Sequence, residues 1–298
     1  MFFAQPITFE SMRVAKNEAS NIVEVELLTT QYKEDRKIIP NYFTVLPNLQ
    51  RSVTDVNTKL KSRKLPLIKD ILNSLKENST AEYFIYTNVD IGLLPNFYKE
   101  VVNYINEGHD AIIINRRRLK SKYQSIADLK EIYKEKGKSH PGFDCFVFKK
   151  SLLEKFVLDE VCVGIPFLGV SLAYNIFSFA DYPKYVFDKY LTFHIGEDVL
   201  PIRNNAFYKH NFNSFFRNIK PKLKENFKLN NFPYYHKNWF LQLIKFGLNP
   251  SLQTRDFLEL KFPSYFKYKE IKNKYKHKEK LFKMKRILNE VRWWLLSL

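Results

Sequence analysis

The stretch from Tyr83 to Asn115 constrains this chain more than any other, because it changes periodicity twice within a length that few folds use. Tyr83-Phe-Ile-Tyr-Thr-Asn-Val-Asp-Ile begins as a short aromatic and β-branched run, the pattern of a buried strand. It then passes into a turn carrying Asn88 and Asp90. Asn96 to about Glu107 repeats at helical spacing and closes at Gly108, a natural left-handed cap, before Ala111-Ile-Ile-Ile-Asn115 reads as a second buried strand. Strand, helix and strand at this spacing predict a right-handed crossover with the two strands parallel and side by side, hence an α/β fold. Polar residues just past a strand end are where ligands bind in open α/β sheets.

The flanking sequence extends the same alternation. Phe2 to Pro6 reads as a first strand, Thr8 as the N-cap of a helix, and Val23 to Thr30 as another strand. Residues 31–65, with Pro40 and Pro47, read mostly as loop. Pro66 opens a helix striped by Leu67, Ile68, Ile71, Leu72 and Leu75. Ser125 to Lys136 has helical character, Phe143 to Phe148 reads as a strand, and Leu152 to Val157 as a short helix or turn. Phe167 to Phe179 reads as an apolar helix inside the body, and Leu191 to Asp198 as a strand closing in a polar turn.

Charge divides the chain. Of a net +18, residues 201–298 contribute 22 Lys and Arg against 6 Asp and Glu, so a near-neutral body at 1–200 is followed by a basic, aromatic-rich, mostly helical extension. Such asymmetry points to an anionic partner: lipid headgroups, nucleic acid or an acidic polymer. Leu281, Met284, Leu288, Val291, Leu295 and Leu298 stripe a basic amphipathic helix after the Lys272 to Lys280 run. That helix can meet an anionic membrane surface, or pack on the body; nucleic acid is the lesser alternative. Cys145 and Cys162 are too few for a disulfide framework and read as core residues. The start, Met-Phe-Phe-Ala-Gln-Pro-Ile, lacks the pattern of a signal peptide, and no run of about 18 apolar residues occurs. The expectation is a cytoplasmic protein, peripheral to the inner face of the membrane if the C-terminal helix docks there.

Asn88-Val-Asp90 has the spacing of a short acidic motif in which one or two carboxylates bind Mg2+ or Mn2+ bridging two phosphates; alone, it reads equally as a turn capping the next helix. Two further polar clusters follow, His140-Pro-Gly-Phe-Asp144 and His194-Ile-Gly-Glu-Asp198. Metal-dependent glycosyl transfer needs a cation for the departing diphosphate, a carboxylate near the sugar carbon or acceptor hydroxyl, and donors around the phosphates. Each residue also has a plainer reading: His194 as a core histidine, His140 as a turn residue, Asp144 as an edge-strand carboxylate, and Arg116 to Arg118 as a solvated patch. Glu197 and Asp198 are supporting candidates.

On Tyr-Thr-Asn-Val-Asp-Ile (86–91), His-Pro-Gly-Phe-Asp-Cys-Phe-Val-Phe (140–148) and Leu-Thr-Phe-His-Ile-Gly-Glu-Asp (191–198), the chain resembles GT-A-fold nucleotide-sugar-dependent glycosyltransferases. It is particularly similar to glycosyltransferase-like proteins of bacterial surface-polysaccharide loci. The resemblance covers residues 1–200 and implies a Rossmann-related, mixed but mostly parallel sheet with flanking helices. It implies that Asn88 and Asp90 stand for the metal and diphosphate motif, with Asn in place of the first carboxylate. His194 would complete the metal or phosphate site, Asp144 would be the acidic catalytic residue, and the loop Gln5 to Thr8 would face the nucleotide. The implied cofactor is Mn2+ or Mg2+, the co-substrate a nucleotide sugar, and the acceptor a glycan or lipid-linked hydroxyl. With a single carboxylate, Arg116 could neutralise the diphosphate directly.

The competing enzyme is a sugar-phosphate nucleotidyltransferase, against which stands the lack of a Gly-rich, Arg-containing loop after the first strand. From another class, the competitor is a non-enzymatic nucleic-acid-binding protein using the basic region.

Overall fold

A computed structural model of the chain describes residues 4–119, 122–140, 143–187, 189–196, 205–231, 237–241 and 244. The chain divides into two compact units, residues 1–231 and 232–298. The site and its supporting elements belong to the first. The fold is α/β, with mixed sheets and flanking helices, as the sequence leads one to expect.

Helix α1, Ala4–Glu18, replaces the first strand expected at Phe2 to Pro6. Pro6 falls in its first turn, where no intrahelical N–H bond is lost, and buried Ile7, Ser11, Met12 and Ala15 recur at helical spacing. Thr8 is therefore not an N-cap, and Gln5 to Thr8 is not a loop. The strand expected from Val23 shortens to Leu28–Thr29, parallel to Thr44–Val45, while Val23 and Val25 pack on the core. Residues 31–65 carry short helices at Lys33–Ile38 and Val53–Val56, the second opened by a Ser52 and Asp55 capping box. Helix α2, Ile68–Asn78, starts at its apolar stripe.

The central sheet contains β1 (Tyr83–Thr87), β3 (Ala111–Ile114), β6 (Cys145–Lys149) and β7 (Pro183–Val186) in the order β1-β6-β3-β7. The sequence predicted β1 and β3 as neighbours. They are parallel in sense, but β6 lies between them, antiparallel to both. Burial explains the order. Cys145 to Phe148 and Ala111 to Ile114 are buried on both faces and take central places, whereas β1 alternates between buried and half-buried residues, as suits an edge. The second sheet contains β2 (Ile91–Leu93), β4 (Arg116–Leu119), β5 (Lys138–Ser139) and β8 (Thr192–Ile195) in the order β2-β8-β4-β5. Among the described residues, antiparallel contacts outnumber parallel ones in these two sheets, so the mixed character holds without parallel dominance.

Phe9, Met12 and Ala15 of α1 pack with Phe97, Val101 and Tyr104 of α3 (Phe97–Asn106) against Ile112, Ile114, Cys145 and Val147. Each fully buried isoleucine contributes about 1.5–3 kcal/mol. Tyr185 shares the opposite face with Ile113, and Phe177 of α4 (Leu168–Phe179) meets its ring at 5.8 Å. Helix α4 is buried on nearly all sides, as its all-round apolar sequence requires. Among the described residues, no helix is long and apolar enough to cross a membrane. Both cysteines are buried and free; burial pushes the Cys162 thiol up to about 12 and Cys145 higher still. Phe215 stacks on Phe167 and Phe216 meets it edge-on, so chain beyond the composition boundary at residue 200 belongs to the body. The amphipathic segment Leu281 to Leu298 and the Lys272 to Lys280 run lie outside the described residues.

The chain passes between the two sheets five times, once through α3 from β2 to β3 and four times through short connections. Strand β1 leads to β2 through 88–90, β3 to β4 through Asn115, β5 to β6 through 140–144, and β7 to β8 through 187–191. Every one of these short crossings bridges the same junction.

Candidate functional site

The first crossing carries Asn88 and Asp90. The Ile91 N–H donates to the Asn88 carbonyl at 3.0 Å, closing the turn. From beneath, the buried Thr8 hydroxyl lies 2.5 Å from the Val89 carbonyl and 3.0 Å from that of Gln5, so α1 fastens the turn. The Tyr86 hydroxyl donates to Asn88 Oδ1 at 2.9 Å, engaging the oxygen that a cation would use.

Strand β8 brings His194 to this turn. His194 pairs with Ile91, and its Nε2 lies 3.3 Å from Asp90 Oδ2. Burial raises the Asp90 pKa, but the hydrogen bond and charge of His194 and the charge of Arg116 outweigh it and hold the carboxyl below its ordinary value. His194 Nδ1 is buried and, among the described residues, has no hydrogen-bond partner.

The second and third short crossings meet each other. Thr87 and Ile114 both pair with Cys145, which sets Asp144 between the ends of β1 and β3. Arg116 Nη1 donates to Asp144 Oδ1, with side chains 13% and 8% exposed, and His140 Nε2 lies 3.9 Å from Asp144 Oδ2. Asn115 pins this crossing. Its N–H donates to Val186 O at 3.1 Å, its side-chain amide to His140 O at 3.0 Å, and its carbonyl accepts from Thr192 Oγ1 at 2.9 Å.

The arginines are therefore not a solvated patch. Strand alternation turns Arg117 to the other face, 3% exposed, where it donates to Ile132 O at 3.0 Å. Burial lowers its pKa, against the charges of Glu135 and nearby tyrosines. Asn88, Asp90, Arg116, Asp144 and His194 all stand at the junction. Gln5 and Thr8 lie on α1, where Thr8 supports the turn from within the core. Pro141, Gly142, Glu197 and Asp198 lie outside the described residues. Sequence reading missed Asn115 and Tyr86; the signal for Asn115 was a polar residue ending a wholly apolar run.

Among the described residues, no three His, Cys, Asp or Glu side chains cluster as a metal-binding set. Asp90 and His194 nevertheless offer two donor atoms at a spacing that two adjacent positions on one cation accept. Magnesium and manganese need only one or two protein donors when water and phosphate oxygens complete the shell. The residues present fit an ion of that kind.

No family model matches the sequence, and comparison with curated proteins finds no relative. Among solved structures, the chain is similar to S. aureus TarS 1-349 in complex with UDP-GlcNAc, with 11% identity over 63% of this chain and 64% of that one, at a TM-score of 0.34. It is similar also to the same protein in complex with UDP, with 12% identity over 78% of this chain and 82% of that one, at 0.33. Likeness at this level bears on no residue of the site.

Proposed function

We propose that the chain is a glycosyltransferase that moves a sugar from a nucleotide-sugar donor to a hydroxyl acceptor. The observation that carries the reading is the two side-chain pairs, Asp90 with His194 and the largely buried Arg116 with Asp144, set at the strand ends where the two sheets join. Ligands bind at such ends in α/β sheets because the crossing loops leave a crevice there.

Asp90 and His194 would hold Mn2+ or Mg2+, which when bound would neutralise the departing diphosphate. Asn88 orients the turn through Tyr86, and Asp144 is the carboxylate that takes the proton of the acceptor hydroxyl through Oδ2, since Oδ1 is engaged by Arg116. Arg116 holds that carboxylate in place and adds positive charge beside Asp90. The acceptor is a glycan or lipid-linked hydroxyl in surface glycan synthesis, with the basic extension against an anionic membrane surface. Supporting the last point is the charge of residues 201–298.

The test is the melting temperature of the full chain with UDP, GDP or CDP, each with and without Mn2+. At least one nucleotide raises it, and Asp90→Ala abolishes the manganese-dependent part. No shift with any nucleotide sinks the reading.

A further inference from the structure

Tyr86 decides which end of the Asn88 amide is left for a ligand. The Tyr86 side chain is buried, and burial together with the nearby charge of Asp90 pushes its pKa up, so the hydroxyl keeps its proton. A buried hydroxyl proton needs an acceptor, and among the described residues the Tyr86 hydroxyl finds it in Asn88 Oδ1, at 2.9 Å. The opposite amide orientation would set Nδ2 against the hydroxyl oxygen and strand that proton. The bond therefore fixes Oδ1 toward Tyr86 and leaves Nδ2 over. Among the described residues, Nδ2 makes no hydrogen bond. Asn88 is half-buried and Val89 beside it is 51% exposed, so the turn is open to solvent where the amide stands.

An amide at this place differs in kind from a second carboxylate. A carboxylate beside Asp90 would repel phosphate unless a cation lay between them, whereas an N–H donates to a phosphate oxygen directly. The amide oxygen is engaged by Tyr86, and the remaining group is a donor, which no cation binds. Resting on the glycosyltransferase reading, we infer that Asn88 binds a phosphate oxygen of the nucleotide through Nδ2, leaving the cation to Asp90 and His194. Tyr86 is then a positioning residue that acts through Asn88.

The experiment is calorimetric titration of the full chain with UDP, GDP, CDP, ADP and dTDP over a series of Mn2+ concentrations, with circular dichroism to check the fold of each variant. Saturating Mn2+ makes good the loss of a metal ligand but not the loss of a phosphate donor. The expected result for Asn88→Ala is about tenfold weaker diphosphate binding that persists at saturating Mn2+, with the Mn2+ concentration for half-maximal effect within about twofold of wild type. Tyr86→Phe loses less, about threefold, because a bound phosphate can itself turn the freed amide. If Mn2+ has no effect on the wild type, the loss of affinity alone decides. Asn88→Ala binding at saturating Mn2+ within about twofold of wild type, or a Mn2+ requirement raised about tenfold, overturns this inference and leaves the enzyme reading standing. An equal loss in Tyr86→Phe and Asn88→Ala also overturns it, since Asn88 would then act only by shaping the turn. A wild type that binds no nucleoside diphosphate at any Mn2+ concentration overturns both.

Discussion

Arg116 donates to Asp144 across 28 residues of sequence, and both side chains are largely buried. A buried ion pair is weak evidence for net stability, but removing one member strands the other's charge, which typically destabilises by about 3 to 5 kcal/mol. Asp144→Ala and Arg116→Ala should each lose that much in urea unfolding, and the double variant less than the sum of the two. A double variant as destabilised as that sum would mean that the two groups act independently.

A second relationship sets the reach of His194. A Cβ on Gly92 would lie 2.2 Å from Cζ of Phe193, so the ring occupies the space that a side chain on β2 would need. Gly92→Ala must push Phe193 and strand β8 aside, and overpacking of this kind costs about 1–3 kcal/mol. Because His194 follows Phe193, the expected outcome includes loss of the nucleotide-induced rise in melting temperature. Gly108→Ala is the control. Its φ of +95° strains any side chain, but open space surrounds it and it lies outside the junction, so stability should fall while the ligand response stays.

How much of this could be read in the sequence depends on the range of the forces concerned. Strands β1, β3, β6 and β8 were legible because burial on one or both faces writes a local pattern of apolar residues. The pairing of Arg116 with Asp144 was not, since nothing local records which strand lies between β1 and β3. Insertion of β6 puts Asp144 beside Arg116, whereas the expected adjacency of β1 and β3 would have left Asp144 without a place at the junction. The N-terminal helix was expected only after Thr8, and its first turn was missed for another reason: Pro6 and the β-branched Ile7 and Thr8 look like the end of a strand and a cap until the longer repeat through Ala15 is weighed.

Asp90 should leave a signature in the acid limb of stability. Its folded-state pKa lies below its ordinary value, so its charged form stabilises the fold above the unfolded-state pKa of about 3.9. That contribution disappears as pH falls through the folded-state value. Wild-type melting temperature should therefore drop between about pH 5 and about pH 3, and Asp90→Asn should drop less steeply over the same window. Equal slopes would show that His194 and Arg116 do not favour the ionised carboxylate.

The support beneath the motif makes the last prediction. Thr8 is fully buried on α1, and its hydroxyl is the contact that ties helix to turn, 2.5 Å from the Val89 carbonyl. Valine has the same shape without the hydroxyl, so Thr8→Val leaves packing intact and removes only the donor. An acceptor left without its donor costs about 1 to 3 kcal/mol when buried, and toward the lower end here because Val89 sits on an exposed turn. The larger effect falls on the positions of Asn88 and Asp90, whose turn then loses its tie to α1. Thr8→Val should weaken nucleotide binding in calorimetric titration more than its small loss in urea stability would suggest, and Thr8→Ser, which keeps the hydroxyl, should restore it. If serine and valine variants bind alike, the helix does not position the motif and the turn holds its shape through the Asn88 to Ile91 bond alone.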